Sequence, residues 1–321
     1  MDFIVGILGG FIVSRMTETL SELHGGTKTP ALSVASDALI LASRRGRLSK
    51  VKRLLEVPGI DVNLQDLLDQ NKNTALIEAS LNGHTEIVKL LLAMPGINVN
   101  VQNIMEYTAL IKASKYGYPK IVKLLLNAPG IDVNLVNHWQ DTALIEASDR
   151  GRTEIVELLL NAPRINVNAV NSGGKTALMQ ASGNGFGKGY PEIVKLLLAA
   201  PGINVNLQSE YKHTALFWAC IDGRTEIVKL LLAVPGIQVD IVDEQGNTAL
   251  TMASMRGHTD IVKLIKNHKK NQKKRRVRGV ARTIPKMKQA QVRAAERVYK
   301  PGGLEYKKLH DKYYRDAKKQ V

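Results

Sequence analysis

Cysteine and aromatic side chains are scarce in this sequence. The 321 residues include one cysteine, Cys220, and Phe, Trp and Tyr together make up 5% of the chain. A lone cysteine cannot close an internal disulfide, which argues against a small secreted scaffold. The cysteine and the seven histidines also lack the close C-x-x-C or H-x-x-x-H spacing of metal sites. We therefore predict no metal ion and no cofactor.

Long apolar runs are missing as well. A membrane-spanning helix needs about 20 consecutive apolar residues. The N-terminal candidate, residues 3–13, is only 11 residues long, and three of these are glycines. No integral membrane span is predicted. No positive charge precedes this stretch and no A-x-A cleavage site follows it, so a signal peptide does not fit. Two interpretations of the N-terminal segment and linker, residues 1–28, stay open. The segment folds onto the first repeat or stays disordered, or it tethers the protein to a membrane.

The excess of positive charge is confined to the C-terminal end. The chain carries 45 Lys and Arg against 29 Asp and Glu, a formal net charge of +16. Residues 266–321 hold 20 of the basic and 4 of the acidic side chains, so residues 1–265 contain 25 of each and are neutral. This asymmetry marks residues 269–321 as a separate basic tail.

A threonine recurs along the chain at nearly constant spacing. The intervals between successive copies are 34, 34, 34, 38 and 34 residues. A fixed period of this length predicts stacked supersecondary units instead of one conventional core. The threonines are Thr74, Thr108, Thr142, Thr176, Thr214 and Thr248.

Each copy of the repeat predicts two short helices. Thr74 is placed to cap the first helix, and Gly83 to end it in the left-handed conformation. The second helix begins at Thr85, with an apolar inward face and with Lys89 near Glu86 on the outside. Helices of about two turns are not stable alone in water, so burial between neighbouring copies must stabilise them.

The repeated unit resembles the ankyrin repeat. The segments TALIEAS, NGHTEIVKLLL and PGINVN match the three parts of that family's pattern, although alanine replaces its proline and Ile, Met, Phe or Thr replaces its histidine. The resemblance implies an all-α repeat solenoid over residues 29–268, with about seven helix-turn-helix repeats joined by β-hairpin-like fingers. The first copy, residues 36–63, is degenerate, and its basic cluster between Arg44 and Arg53 is interpreted as a cap on the array.

Two glycine-rich segments raise the question of a nucleotide site. The GGKT segment at 173–176 ends like a phosphate-binding loop, but that loop needs a glycine where the chain has Ala169. The acidic residues recur once per copy at helix starts instead of forming a facing pair, and no Ser–His or Cys–His arrangement is visible. We predict no catalytic site. The insertion at 183–191, which carries Phe186, is interpreted as a flexible loop or an interaction loop.

The positions that differ between copies are the candidates for partner binding. In ankyrin folds the finger tips and the exposed face of the first helix line a concave surface that binds proteins. By resemblance, these positions here include both tryptophans of the chain, and Trp and Tyr are common at interface hot spots. The leading hypothesis is therefore a monomeric, non-catalytic adaptor that binds a protein partner. Its predicted contact residues are Tyr107, Lys112, Tyr116, Trp139, Tyr211 and Trp218.

The basic tail, residues 269–321, is predicted to be helical, with helical segments after Pro285 and around Tyr306. Residues 269–278, at the start of the tail, have three possible interpretations. They are a nuclear import signal, a contact with nucleic acid or an anionic surface, or a solvated charge run. The alternative function is a nucleic-acid-associated nuclear protein whose tail contacts phosphates and whose repeats recruit or regulate a partner. Either function implies an intracellular location, cytoplasmic, nuclear or both. The basic residues in question are Lys269, Lys270, Lys273, Lys274, Arg275, Arg276 and Arg278.

Overall fold

The helices come in pairs that follow the repeated sequence. The computed structural model describes residues 30–65, 70–183 and 189–274. Each first helix contacts the first helix of the next copy, and each second helix of the earlier copies contacts the next second helix. The predicted repeat solenoid is confirmed. The helices are α1 Pro30–Arg44, α2 Leu48–Leu55, α3 Ala75–Leu81, α4 Thr85–Leu92, α5 Ala109–Tyr116, α6 Pro119–Leu126, α7 Ala143–Asp149, α8 Thr153–Leu160, α9 Ala177–Ser182, α10 Pro191–Ala199, α11 Ala215–Ile221, α12 Thr225–Ala233, α13 Ala249–Met255 and α14 over 259–274.

The repeated threonine begins the first helix of each pair from α3 to α13. The Thr74 hydroxyl accepts a hydrogen bond from the Ile77 N–H at 3.2 Å, and the other five threonines make the same bond in their own copies. This bond satisfies one of the backbone donors that a helix start leaves unpaired. At the other end, Gly83 has φ +77°, and a Cβ there would lie 2.6 Å from the Tyr118 ring of the next copy. Glycine is needed for both the backbone angle and the close approach.

The second helices bury one apolar face. In α4, Ile87, Val88 and Leu91 are buried, and the same Ile-Val-Leu set is buried in α6, α8, α10 and α12. On the outside, the Lys89 ammonium lies 3.0 Å from the Glu86 carboxylate, an exposed pair that contributes little to stability. The helix pairs are therefore stable because they stack on one another.

An asparagine bridge joins each turn after a second helix to the same turn of the next copy. The Asn134 side chain donates to the Arg164 carbonyl at 2.8 Å and accepts from the Asn166 N–H at 2.8 Å. Each bridge pairs one amide side chain with two backbone groups of the neighbouring copy, which fixes the spacing and register of successive repeats. The bridging residues are Asn63, Asn100, Asn134, Asn168 and Asn206.

The fingers between copies are hairpin-like, as the resemblance implies. In one finger Asn137 Oδ1 accepts from the N–H groups of Trp139 and Asp141 at 2.9 and 3.0 Å. Antiparallel bridges close three of the fingers, at Val136 and Thr142 and at the equivalent positions of two later copies. Neighbouring fingers are linked by one backbone hydrogen bond, such as that from His138 N–H to the Met105 carbonyl at 3.0 Å. The fingers therefore stack in the same register as the helices.

One arginine of the basic cluster in the first copy makes an ion pair with the second copy. The guanidinium of Arg44 lies 3.0 Å from the Glu78 carboxylate of the second copy, so it joins the first two copies.

At the C-terminal end of the array, α14 runs continuously from 259 to 274. The predicted boundary between array and tail, at 268/269, lies inside this helix. The chain divides into compact units over residues 1–261 and 262–321, and of the second unit only 262–274 are described.

Several sequence predictions concern residues outside the described ranges. These are the N-terminal segment, the loop with Phe186, and the tail beyond 274, including Arg275, Arg276 and Arg278. Among the helices that the structure does describe, none is both long and apolar enough to cross a membrane.

A column of serine hydroxyls runs through the core of the first helices. Each Oγ is buried and finds no hydrogen-bond partner within the described part of the chain. The next residue in the column is the buried thiol of Cys220. A buried hydroxyl without a partner carries a desolvation cost. The serines are Ser43, Ser80, Ser114, Ser148 and Ser182.

Replacing Ser148 by alanine is therefore expected to raise the free energy of unfolding by about 1 kcal/mol, since it removes an unpaired hydroxyl from a helix interior. Urea denaturation followed by circular dichroism measures the change. Ser172→Ala, at an exposed finger tip, is the control and is expected to shift stability by less than about 0.5 kcal/mol. A loss of stability in Ser148→Ala would show that the hydroxyl is paired after all.

Candidate partner-binding surface

Three of the predicted contact residues are exposed aromatic side chains. The exposed fractions of Trp139, Tyr116 and Tyr211 are 45%, 45% and 58%. Trp139 and Tyr211 lie at finger tips, and Tyr116 is the last residue of α5. We call the side chains of the first helices and the finger tips the finger-side surface. Three large aromatic rings are therefore exposed on this surface instead of being buried in the core.

Tyr107 differs from the prediction, because only 4% of this residue is exposed. Its hydroxyl donates to the Glu146 carboxylate at 3.3 Å and accepts from the Lys115 ammonium at 2.8 Å. Its ring centroid lies 6.0 Å from that of Trp139. Burial raises the pKa of Tyr107, so the phenol stays neutral. Tyr107 therefore lies beneath the finger-side surface and supports residues that reach it.

A buried carboxylate organises this part of the surface. Glu146 on α7 is 4% exposed and accepts hydrogen bonds from Lys115 at 2.8 Å and from Asn137 at 3.2 Å, besides that of Tyr107. Burial opposes the charge on Lys115, but its hydrogen bonds to Glu146 and Tyr107 raise its pKa above the ordinary value. A buried charge that is paired and hydrogen-bonded in this way is held firmly in place.

The equivalent carboxylate two copies earlier has the same kind of environment. Glu78 on α3 is buried and accepts hydrogen bonds from Arg44 at 3.0 Å and from Asn73 at 2.8 Å. Both glutamates occupy a variable position of the first helix, which by resemblance to the ankyrin repeat is expected to be exposed. They are buried instead, because a cation from the preceding copy reaches each of them.

Lys112 occupies the glutamate position in the copy between them. Its ammonium lies 3.6 Å from the centroid of the Tyr107 ring, a cation–π contact. Within the described residues it has neither an ion pair nor a hydrogen bond. Burial, followed by the charge of Lys115, lowers the pKa of Lys112 to about 8, and the carboxylates of Glu146 and Glu78 offset only part of that shift.

A second aromatic cluster lies in the fifth and sixth copies. The Lys175 ammonium is 4.3 Å from the centroid of the Trp218 ring. The His213 ring stacks on Phe217 at 4.2 Å and meets Trp218 edge-on at 5.1 Å. Burial lowers the pKa of His213, with the nearby Asp243 carboxylate acting in the opposite direction. Trp218 is therefore partly covered, and Tyr211 is the more exposed ring of this cluster.

The GGKT segment and the cysteine, which the sequence offered as possible reactive or nucleotide-binding groups, both have structural roles. Thr176 of the GGKT segment caps α9, and Gly174 is a left-handed finger residue with φ +67°. Burial raises the pKa of the Cys220 thiol to about 12, which leaves it unreactive. No group of three metal-ligating side chains occurs in residues 30–65, 70–183 or 189–274.

Ile104 and Met255 are exposed apolar residues that lie outside the set of predicted contact residues. Ile104 is a finger-tip residue and Met255 ends α13, so both contribute to the finger-side surface. The sequence contains a signal for Ile104, because it stands among the variable residues before a repeated threonine. Lys115 and Lys175 also lie outside that set, and their interactions depend on a carboxylate and a ring of the next copy.

Comparison with known proteins agrees with this architecture. A family model described as ankyrin repeats (3 copies) matches residues 39–137, 110–209 and 186–276. The crystal structure of EF0377, an ankyrin repeat protein, is 31% identical, with a TM-score of 0.57, over 62% of this chain and 98% of that one. The ankyrin repeat domain of Bcl-3, a member of the IkappaB protein family, is 27% identical, with a TM-score of 0.61, over 70% of this chain and 97% of its own. No curated protein matches the sequence.

The two neighbouring lysines of α5 are expected to titrate far apart. Burial without a carboxylate partner lowers the pKa of Lys112 to about 8, whereas the hydrogen bonds to Glu146 and Tyr107 raise the pKa of Lys115 above its ordinary value despite burial. Carbon-13 NMR of the lysine Cε atoms measures both midpoints, and Lys112→Met assigns the signal. A Lys112 midpoint near 10.5 would contradict the burial of its ammonium.

Proposed function

Because this chain belongs to the ankyrin-repeat family, we propose that it is a non-catalytic adaptor that binds a partner protein through its finger-side surface. The observation that carries this proposal is the exposure of Trp139 and Tyr211 at finger tips and of Tyr116 on a first helix. Ankyrin repeats are in general protein–protein interaction modules, and rings of this kind are frequent binding hot spots.

The surroundings of Trp139 support a binding role. Its backbone N–H is held by Asn137 at 2.9 Å, and its carbonyl accepts from the Ser172 N–H at 2.9 Å. Its ring contacts those of Tyr107 and His138, with centroids 6.0 and 5.7 Å away. A ring that is already held in place loses little conformational entropy on binding, so its burial contributes more to affinity.

The proposal includes an intracellular site of action, in the cytoplasm, the nucleus or both. The one cysteine is a buried free thiol, which suits a reducing compartment. A single chain suffices for the proposed surface, so the adaptor is proposed to act as a monomer.

Replacing Trp139 and Tyr211 by alanine is expected to lower partner recovery at least 10-fold each, because hot-spot rings typically contribute about 2 kcal/mol or more. Quantitative mass spectrometry after affinity purification compares the variants with the wild-type chain. Lys123→Ala, on the exposed side of α6, is the control and is expected to change nothing. Unchanged recovery in folded Trp139→Ala and Tyr211→Ala variants would refute this surface as the binding site.

A second candidate function is association with nucleic acid through α14 and the basic tail that α14 leads into. The observation in its favour is a row of exposed lysines on α14, spaced so that they share one helix face. Lysines on one face suit contact with phosphates, and further basic residues follow in the sequence. In this proposal the tail directs a nuclear protein to nucleic acid, and the repeats recruit its partner. The lysines are Lys263, Lys266, Lys270, Lys273 and Lys274.

Changing Lys266, Lys270, Lys273 and Lys274 together to glutamine tests this candidate. If these residues contact phosphates, the slope of log affinity against log salt should fall by about 3 to 4 for a labelled DNA duplex, measured by fluorescence anisotropy. The control changes four exposed lysines of second helices by the same charge. Equal losses in both variants would indicate a general charge effect, and retention on phosphatidylserine vesicles alone would favour a membrane surface. The control lysines are Lys120, Lys123, Lys195 and Lys229.

A further inference from the structure

Lys112 is a partly buried cation whose neighbouring carboxylates already have partners. It lies on α5, between α3 with Glu78 and α7 with Glu146, and the three positions are each 34 residues apart. Glu78 is paired with Arg44 at 3.0 Å and Glu146 with Lys115 at 2.8 Å. Three cations thus meet two carboxylates, so the Lys112 ammonium has no counterion of its own among the described residues.

Two further acidic groups, which lie near Glu146, are also engaged. Asp149 lies 3.4 Å from Arg150, and Asp141 accepts a hydrogen bond from Asn171 at 2.9 Å. The electrostatic influences on Lys112 come from Lys115, Glu146 and Glu78. The positive charge of Lys112 is therefore offset only in part from within the array.

One aromatic ring lies against the ammonium of Lys112, and two more lie nearby in the chain or next to that ring. The Tyr107 ring lies directly beneath it at 3.6 Å, and Tyr116 is one helical turn further along α5. The Trp139 ring lies beside the same Tyr107 ring, with 6.0 Å between the two centroids. Rings exclude water, so an anion placed beside Lys112 would interact with it more strongly than at an open surface.

The charge pattern selects the kind of anion. A phosphate group usually takes several donors, and arginine forks above all, whereas this position offers one ammonium. The buried carboxylates of Glu78 and Glu146 on either side disfavour a doubly charged group. A singly charged carboxylate fits both conditions.

We propose that Lys112 pairs with one carboxylate of the bound partner, while the rings of Tyr116 and Trp139 cover the adjoining apolar atoms. The carboxylate belongs to an Asp or Glu side chain or to a chain terminus. This inference rests on the proposed function, and it adds the chemistry of the partner: a segment with a negative charge next to an apolar side chain.

Selection of peptides tests the inference directly. A displayed library of random 12-residue peptides is selected against the full chain, against Lys112→Met and against Lys123→Met. Lys112→Met keeps the aliphatic stem, and Lys123→Met makes the same change on the exposed side of α6. The wild-type and Lys123→Met proteins are expected to enrich Asp and Glu beside an apolar residue, and Lys112→Met is expected to lose that enrichment.

One selected peptide then serves for affinity measurements by fluorescence anisotropy. Lys112→Met and the change of the peptide acid to its amide are each expected to weaken binding about 10-fold or more, with no further loss when the two are combined. The peptide change leaves the protein untouched, so the test holds even if a variant is less stable. Amidating the peptide C-terminus distinguishes a terminal carboxylate from a side-chain one.

The outcomes separate this inference from the proposed function. Peptides that need Trp139 but show no enrichment of acids, or that bind Lys112→Met equally well, overturn the Lys112 pairing and leave the surface intact. Absence of any peptide whose binding depends on Trp139 or Tyr211 overturns the surface and the pairing together.

Discussion

The contact between neighbouring copies is the constraint on which the structure depends. Helices of six to nine residues, as from α3 to α13, are too short to be stable alone. Stability therefore comes from the buried Ile-Val-Leu faces, and register from the amide side chains that bridge successive turns, such as Asn134. Backbone hydrogen bonds between fingers add a second line of attachment. Each copy is held at two edges, and its orientation follows from that of its neighbour.

The fixed register also creates the surface that we propose for partner binding. Positions one period apart in sequence become neighbours in space, so Glu78, Lys112 and Glu146 form a row across three first helices. A cation of the preceding copy reaches each glutamate, Arg44 in one case and Lys115 in the other. Both glutamates of the row are therefore neutralised by these cations, and the ammonium of Lys112 has no carboxylate of its own. Side chains such as Lys112, which take no part in stacking the repeats, are therefore free to contact a partner in the proposed function.

The sequence predicted the exposed rings better than the residues beneath them. Trp139 and Tyr211 lie at finger tips, where a variable position means a side chain that no neighbouring copy requires. Tyr107 is equally variable, yet it lies directly before a threonine cap and follows the left-handed residue Glu106, with φ +60°. That turn directs its ring under Lys112. Spacing identifies which residues vary, but the backbone angle decides on which side of the finger each one lies.

Sequence alone determined the period, the threonine caps, the glycine stops, the apolar faces and the location of the excess charge, because each depends on residues within one copy. Only the tertiary structure decided which charges are paired. Lys115 and Glu146 are 31 residues apart, and Arg44 and Glu78 are 34 apart. Whether such side chains meet depends on the stacking of copies and on the direction of each side chain. The sequence predicted Lys112 as a contact residue, but its lack of a counterion depends on the pairing of Glu78 and Glu146 with other cations.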